Sequence, residues 1–264
     1  MTTASPVDVA THGEYQAGRL FTANGRITEP DQGRYHVYGA WFCPWYQRVA
    51  ITRALAGLVD VVSVSYVDGE RDGRGWAFRG ATGPDPVNGF TLLRQAYEAS
   101  EPGFDGHVSV PALWDRSTSR LVSNDARTIG IDLATRFQDV ATPLVATYPA
   151  PLADKIEELD RWLAPAVTSP DRETVLETFE QLDARLAHSR FLLGEDLTEA
   201  DIRLWVRLVR WDVGPNARRT INPGLHVYPH LWSYARALYK IPAFRDTTAF
   251  ATFTAPDAIV PDWS

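Results

Sequence analysis

The sequence predicts an α/β domain followed by an all-helical domain, and three observations carry that expectation. Residues 34–67 read as strand, helix and strand, whereas every regular segment beyond residue 152 reads as helix. Between them, QDVATPLVATYPAPLAD (138–154) holds three prolines and no periodicity, as an interdomain linker does. The expected divisions are an N-terminal arm (1–33), an α/β domain (34–140) and a helical domain with a C-terminal tail (141–264).

RYHVYGA (34–40) has the aromatic and β-branched alternation of a strand. Pro44 suits the first turn of a helix, where its missing N–H costs nothing. Val49, Ile51, Leu55 and Leu58 continue the helix and Gly57 can stop it. DVVSVSYV (60–67) is a second strand, so the three segments form a βαβ unit with parallel strands and a right-handed crossover. The Gly-, Asp- and Pro-rich stretch 68–90 reads as a long loop in which Trp76 and Phe78 need something to cover. FTLLRQAYEAS (90–100) is helical. HVSVPALWD (107–115) and RLVSN (120–124) pair as a hairpin, and 125–137 form a helix with Asn124 as the expected N-cap.

The later helices are expected over 152–164, 171–188, 199–212 and 229–239. The third opens with Thr198 and Asp201 spaced as a capping box. Leu204, Trp205, Leu208 and Trp211 share a helical face and read as core, and Trp45 also reads as structural. Arg207, Arg210, Arg218 and Arg219 read as a solvated face.

Among the 264 residues, 26 basic groups face 33 acidic ones, for a net charge of -7. No basic run is present to neutralise phosphates, so nucleic acid is not an expected partner. The first thirty residues lack the basic start and apolar run of a secretory signal. No stretch reaches the roughly 18 apolar residues of a membrane span. A cytoplasmic protein without a membrane is the expectation. A single cysteine, Cys43, allows no internal disulfide and no Cys-rich metal site, and six scattered histidines predict no metal.

Cys43 sits between a strand and the helix opened by Pro44. There, unpaired N–H groups and the helix dipole favour the thiolate, and cysteines in such settings have pKa values roughly 1 to 5 units below the free value. Cys43 is therefore the candidate nucleophile. Position 46 is Tyr, so there is no CxxC dithiol, and a mixed disulfide at Cys43 must be resolved by an external thiol. A small-thiol co-substrate follows. Tyr46, one turn along, reads equally as a substrate contact or as a packing residue. The second signal is Val110-Pro111 at the entry to a strand, which a cis bond would accommodate. Such a bond would leave the Val110 backbone free to pair with a peptide-like ligand.

The segments RYHVYGAWFCPW, GWAF, VSVPALWD, LVSND, LLGEDLTEADIRLW, VYPHLWSYARALY and AIVP resemble, in order and spacing, the glutathionyl-hydroquinone reductases, or Xi-class glutathione transferases. The resemblance runs from about residue 34 to 261. It implies the glutathione-transferase architecture: an α/β N-terminal thioredoxin-like domain plus an all-α C-terminal domain, as a homodimer. It also implies that Cys43 removes a thiol from an aromatic or quinone-type adduct through a mixed disulfide. By family position Val110 and Pro111 would meet the thiol's backbone and Trp76 would cover it. Asp125 would hold the γ-glutamyl ammonium, and Tyr239 would line the acceptor pocket.

The chain departs from the family's pattern at several positions. His107 stands where the family has arginine, and Asp125-Ala126 replaces a Glu-Ser pair. Family tyrosines credited with contacting the hydroquinone have no counterpart in 161–175 or 249–256. The loss of a carboxylate partner and a hydroxyl donor, with lysine almost absent, points to mycothiol as an alternative to glutathione. Other readings of the same residues are a thiol-conjugating transferase and a non-catalytic binding or scaffold protein with this fold.

Overall fold

The computed structural model describes residues 6–16, 18–19, 22–79 and 82–264. Its residues divide into two units: Met1–Val49 with Gly57–Pro143, and Ala50–Ala56 with Leu144–Ser264.

The first unit is built on a four-stranded sheet in the order β2-β1-β5-β6, comprising β1 (Tyr35–Gly39), β2 (Ser63–Tyr66), β5 (Ala112–Asp115) and β6 (Arg120–Ser123). β1 runs parallel to β2 and antiparallel to β5, and β5 pairs antiparallel with β6. The helices of this part of the chain are α1 (Val9–His12), α2 (Pro44–Leu55), α3 (Arg94–Ser100) and α4 (Ala126–Thr135). The βαβ unit is β1-α2-β2, and the sheet with its helices is the thioredoxin-like half of the architecture. The serine alternation in β2 has a chemical role. His36, fully buried on β1, bonds Ser63 Oγ and Ser65 Oγ, each at 2.8 Å, so its two ring nitrogens are satisfied inside the core.

Several boundaries differ from expectation for local reasons. α2 stops before Leu58 because Gly57 turns to φ +72°. β2 starts at Ser63 because the Val61 and Val62 N–H groups bond back to the Leu58 carbonyl at 3.1 and 3.0 Å. β5 starts only after Pro111, which has no N–H to give a ladder. The N-cap of α4 is Asp125 rather than Asn124: its carboxylate accepts the N–H groups of Arg127 and Thr128 at 2.7 and 3.2 Å. Asn124 is used elsewhere, accepting Ala23 N–H at 2.9 Å and donating to Ser109 Oγ at 3.1 Å. The expected loop 68–90 contains a short hairpin, β3 (Arg71–Asp72) with β4 (Gly75–Trp76).

The arm packs on this unit at two buried carboxylates. Asp132 accepts Ile27 N–H at 2.8 Å and binds Arg26. Asp72 accepts Asp8 N–H at 2.9 Å and binds Arg74, whose guanidinium also reaches the Pro6 carbonyl at 2.6 Å. The hairpin turn lies so close to the arm that a Cβ on Gly73 would come within 2.2 Å of the His12 carbonyl oxygen.

The second unit is all helical: α5 (Ala153–Val167), α6 (Arg172–Leu186), α7 (Glu199–Val213), α8 (Pro229–Tyr239) and the short α9 (Pro242–Arg245). α7 is its buried axis, with Leu204, Trp205, Leu208 and Trp211 in the core. Thr198 and Asp201 form the expected capping box at its start. Arg203, 1% exposed, is neutralised by Glu157, Asp160 and Glu199. The expected solvated arginine face is not one. Arg207 pairs with Asp160 and Arg219 with Asp212, Arg210 lies 4.0 Å over the Phe253 ring, and only Arg218 is largely exposed. Among the described residues no helix is long and apolar enough to cross a membrane, and no three His, Cys, Asp or Glu groups converge as a metal site.

Candidate active site

Cys43 is the residue on which α2 begins. Its N–H bonds the Ala40 carbonyl at 3.0 Å and its own carbonyl accepts Gln47 N–H at 3.0 Å, the first bond of the helix. Sγ thus occupies the position of an N-cap side chain and accepts the N–H of Tyr46, the third helical residue, at 3.5 Å. On its other side the thiol donates to the Val110 carbonyl at 3.3 Å. Val110-Pro111 is cis. Among the described residues the Val110 N–H has no hydrogen-bond partner. The turn that precedes a fixed strand therefore offers an open backbone donor beside the sulfur.

Both groups open into a cavity of about 460 Å³ in the first unit. Phe42, Trp45 and Trp76 supply its aromatic lining, and His107, Ser109, Val110, Asn124 and Asp125 its polar lining. A larger hollow of about 750 Å³, lined by Lys155, Trp162 and His188 on the helical unit, has no sulfur nucleophile. Trp76 packs on Phe42 with ring centroids 5.0 Å apart. Asp125 reaches the cavity from the N-terminus of α4, and Ala126 begins that helix without a side-chain donor.

His107 is held by the arm. Tyr15 OH accepts Val108 N–H at 3.2 Å and bonds His107 Nδ1. Which partner of the Tyr15–His107 bond carries the proton is set by the imidazole tautomer. Burial, followed by the charge of Arg71, holds the His107 pKa below its ordinary value.

The surroundings of Tyr46 favour the packing side of its two readings, and those of Trp45 differ from expectation. Tyr46 is 2% exposed, with its ring against Gly39 and its hydroxyl donating to Tyr66 OH at 3.1 Å, so it is a packing residue and not part of the cavity wall. Trp45 is 54% exposed and lines the cavity, which corrects the structural assignment. It sits on the first turn of α2, where side chains point back toward the N-terminus and hence toward the cavity. Tyr239 lies in the helical unit on the last turn of α8, stacked on Trp205 at 5.9 Å.

The contributions of Tyr15, Phe42, Ser109 and Arg71 were not anticipated. Arg71 did have a signal: glycines at 73 and 75 mark a tight turn, and with Gly73-Arg74 as its loop Arg71 and Trp76 are cross-strand partners.

Chemically, the arrangement is a sulfur at a helix N-terminus beside an unpaired backbone edge. It suits a nucleophile that attacks the sulfur of a thiol-bearing peptide.

Comparison with known proteins gives the same picture. Residues 143–237 match the family described as glutathione S-transferase, C-terminal domain. The glutathionyl-hydroquinone reductase YqjG of Escherichia coli K12 is 35% identical over 246 residues, spanning 86% of this chain and 74% of that protein. The glutathione-bound structure of YqjG superposes with a TM-score of 0.77 at 28% identity, covering 91% of this chain and 89% of the other. The glutathione transferase Xi of Phanerochaete chrysosporium gives a TM-score of 0.78 at 30% identity, covering 92% and 96%.

Proposed function

The chain belongs to the glutathionyl-hydroquinone reductase family of Xi-class glutathione transferases, and on that premise we propose that it uses Cys43 to strip glutathione from a glutathionyl-hydroquinone. In the first step the Cys43 thiolate attacks the glutathionyl sulfur. The S–S bond forms as the aryl C–S bond breaks, and its electron pair and a proton go to the ring carbon, releasing the hydroquinone. In the second step a glutathione thiolate attacks the mixed disulfide, giving glutathione disulfide and regenerating Cys43. In sum, conjugate and glutathione yield hydroquinone and glutathione disulfide, the conjugate's thioether sulfur and the thiol sulfur of glutathione being oxidised as the aryl carbon is reduced.

One observation carries this reading: Sγ of Cys43 lies 3.3 Å from the carbonyl of Val110, which lines the same cavity and whose own N–H has no partner among the described residues. Within it Val110 pairs with the cysteinyl backbone of the thiol, Trp76 covers the peptide and Asp125 holds its ammonium. Pro111 keeps the Val110 edge turned to the ligand. Homodimerisation and a cytoplasmic setting belong to the same reading, the latter because its chemistry draws on a reduced thiol pool. Glutathione is the preferred thiol, since glutathione is bound in the structure of the YqjG relative, and mycothiol is its competitor. A conjugating transferase would use a hydroxyl at position 43 to activate the co-substrate's thiolate, so sulfur there favours the reductase.

Chromatographic assay of 2-glutathionyl-hydroquinone with excess glutathione tests the proposal. Hydroquinone and glutathione disulfide released one for one support it; an intact conjugate, or a new conjugate formed from free quinone, contradicts it.

A further inference from the structure

Among the described residues, the lining of the Cys43 cavity includes Asp125 and His107 and no lysine or arginine. A full positive charge is nevertheless present beside it. The Arg71 guanidinium carbon lies 4.1 Å from the Tyr15 ring centroid and 4.3 Å from that of Trp76, the ring that lines the cavity. Arg71 and Trp76 face each other across the β3–β4 hairpin, so their side chains stand on one face. The hairpin itself is clamped to the arm, which carries Tyr15, through the Asp72 carboxylate that accepts the Asp8 N–H.

Unlike Arg74 and Arg79, the next two arginines along the chain, Arg71 has no anionic partner among the described residues. Arg74 is paired with Asp72, and Arg79 with Asp68 and Glu70. Arg71 is exposed and makes no ion pair among the described residues. Two aromatic ring centroids lie within 4.3 Å of its guanidinium carbon, and among the described residues nothing hydrogen-bonds its donors. A planar fork with open N–H groups matches a carboxylate bidentately.

We propose that Arg71, held between Tyr15 and Trp76, binds the glycyl carboxylate of the thiol co-substrate and thereby sets the enzyme's preference for glutathione. This rests on the reductase reading above. It makes the N-terminal arm part of the binding site, through Tyr15. It also selects against mycothiol, whose cysteine carboxyl is tied up in an amide to a sugar.

The test compares glutathione with its glycine monoethyl ester as the resolving thiol during turnover of 2-glutathionyl-hydroquinone, in wild type, Arg71→Ala and Arg71→Lys. The wild type is expected to show a KM about tenfold higher for the ester, the loss of one charge-assisted carboxylate contact. Arg71→Ala raises the KM for glutathione by about the same factor and closes the gap between the two thiols to less than about twofold. Arg71→Lys falls between, because it keeps charge but loses the fork. Equal use of acid and ester by the wild type, or equal loss of both in Arg71→Ala, overturns the assignment of Arg71 and leaves the reductase reading standing. If wild-type Cys43 forms no mixed disulfide with glutathione at all, the reductase reading fails and the proposal with it.

Discussion

Cys43 and Val110 share one hydrogen bond: the thiol donates at 3.3 Å to the carbonyl of the residue before the cis proline. Ionisation of the sulfur removes that donor and frees the carbonyl, while the Tyr46 N–H continues to point at Sγ. The activated nucleophile and a fully open Val110 edge therefore arise together, and the edge can then take an amide from a peptide ligand.

Two outcomes follow for Cys43. The pH dependence of its alkylation by iodoacetamide should show a pKa below the free value of about 8.5. Cys43→Ser should keep the fold, because serine is a good N-cap, and lose turnover by more than about 10³-fold in steady-state assay.

The seat of Tyr46 predicts a stability effect. A Cβ at Gly39 would lie 2.3 Å from two ring carbons of Tyr46, a collision inside the core. Gly39→Ala should cost about 1 to 3 kcal/mol in urea unfolding, by overpacking, and Tyr46→Phe about 0.5 to 1.5 kcal/mol through the lost bond to Tyr66.

His107 should make stability depend on pH on the acid side. Its folded pKa is depressed by burial and by Arg71 from 6.5, so below that value the unfolded chain binds more protons than the folded one. Stability should fall as pH drops through about 6.5 and level off below the folded pKa. His107→Asn should flatten that part of a urea-midpoint profile between pH 5 and 7.5.

In the helical unit, the Asp201 carboxylate accepts the Leu192 N–H at 2.9 Å, the Thr198 N–H at 2.8 Å and the Tyr234 hydroxyl at 2.9 Å. Asp201→Ala leaves these buried donors unpaired and removes the α7 cap, so it should cost about 3 to 5 kcal/mol by denaturant titration.

The features legible in the sequence are those with short-range causes. Pro44 starting a helix just after Cys43, the valine-rich second strand and the Thr198–Asp201 box each carry their signal within a few residues. Asn124 and Asp125 show the limit of such signals. Both are good N-caps, and the choice fell to Asp125 because Asn124 is drawn away by Ala23 and Ser109, distant in sequence. The contact between Tyr15 and His107 spans 92 positions and has no local signature at all. The hairpin that carries Arg71 and Trp76 turns on Gly73-Arg74, a signal diluted by the turn-forming residues around it. Trp45 follows the same pattern: aromatic composition suggested packing, whereas its place on the first turn of α2 turns it to the cavity.

The most direct test of the account is intact-protein mass spectrometry of reduced wild type and Cys43→Ala after exposure to 2-glutathionyl-hydroquinone without free thiol, and separately to glutathione disulfide and mycothiol disulfide. The account predicts one glutathionyl group on wild type from the conjugate and from glutathione disulfide. It also predicts removal of that group by glutathione, no adduct on Cys43→Ala, and little or no adduct with mycothiol disulfide. An unmodified wild-type protein under all three conditions, with Cys43→Ala indistinguishable from it, would contradict the assignment of Cys43 as the nucleophile.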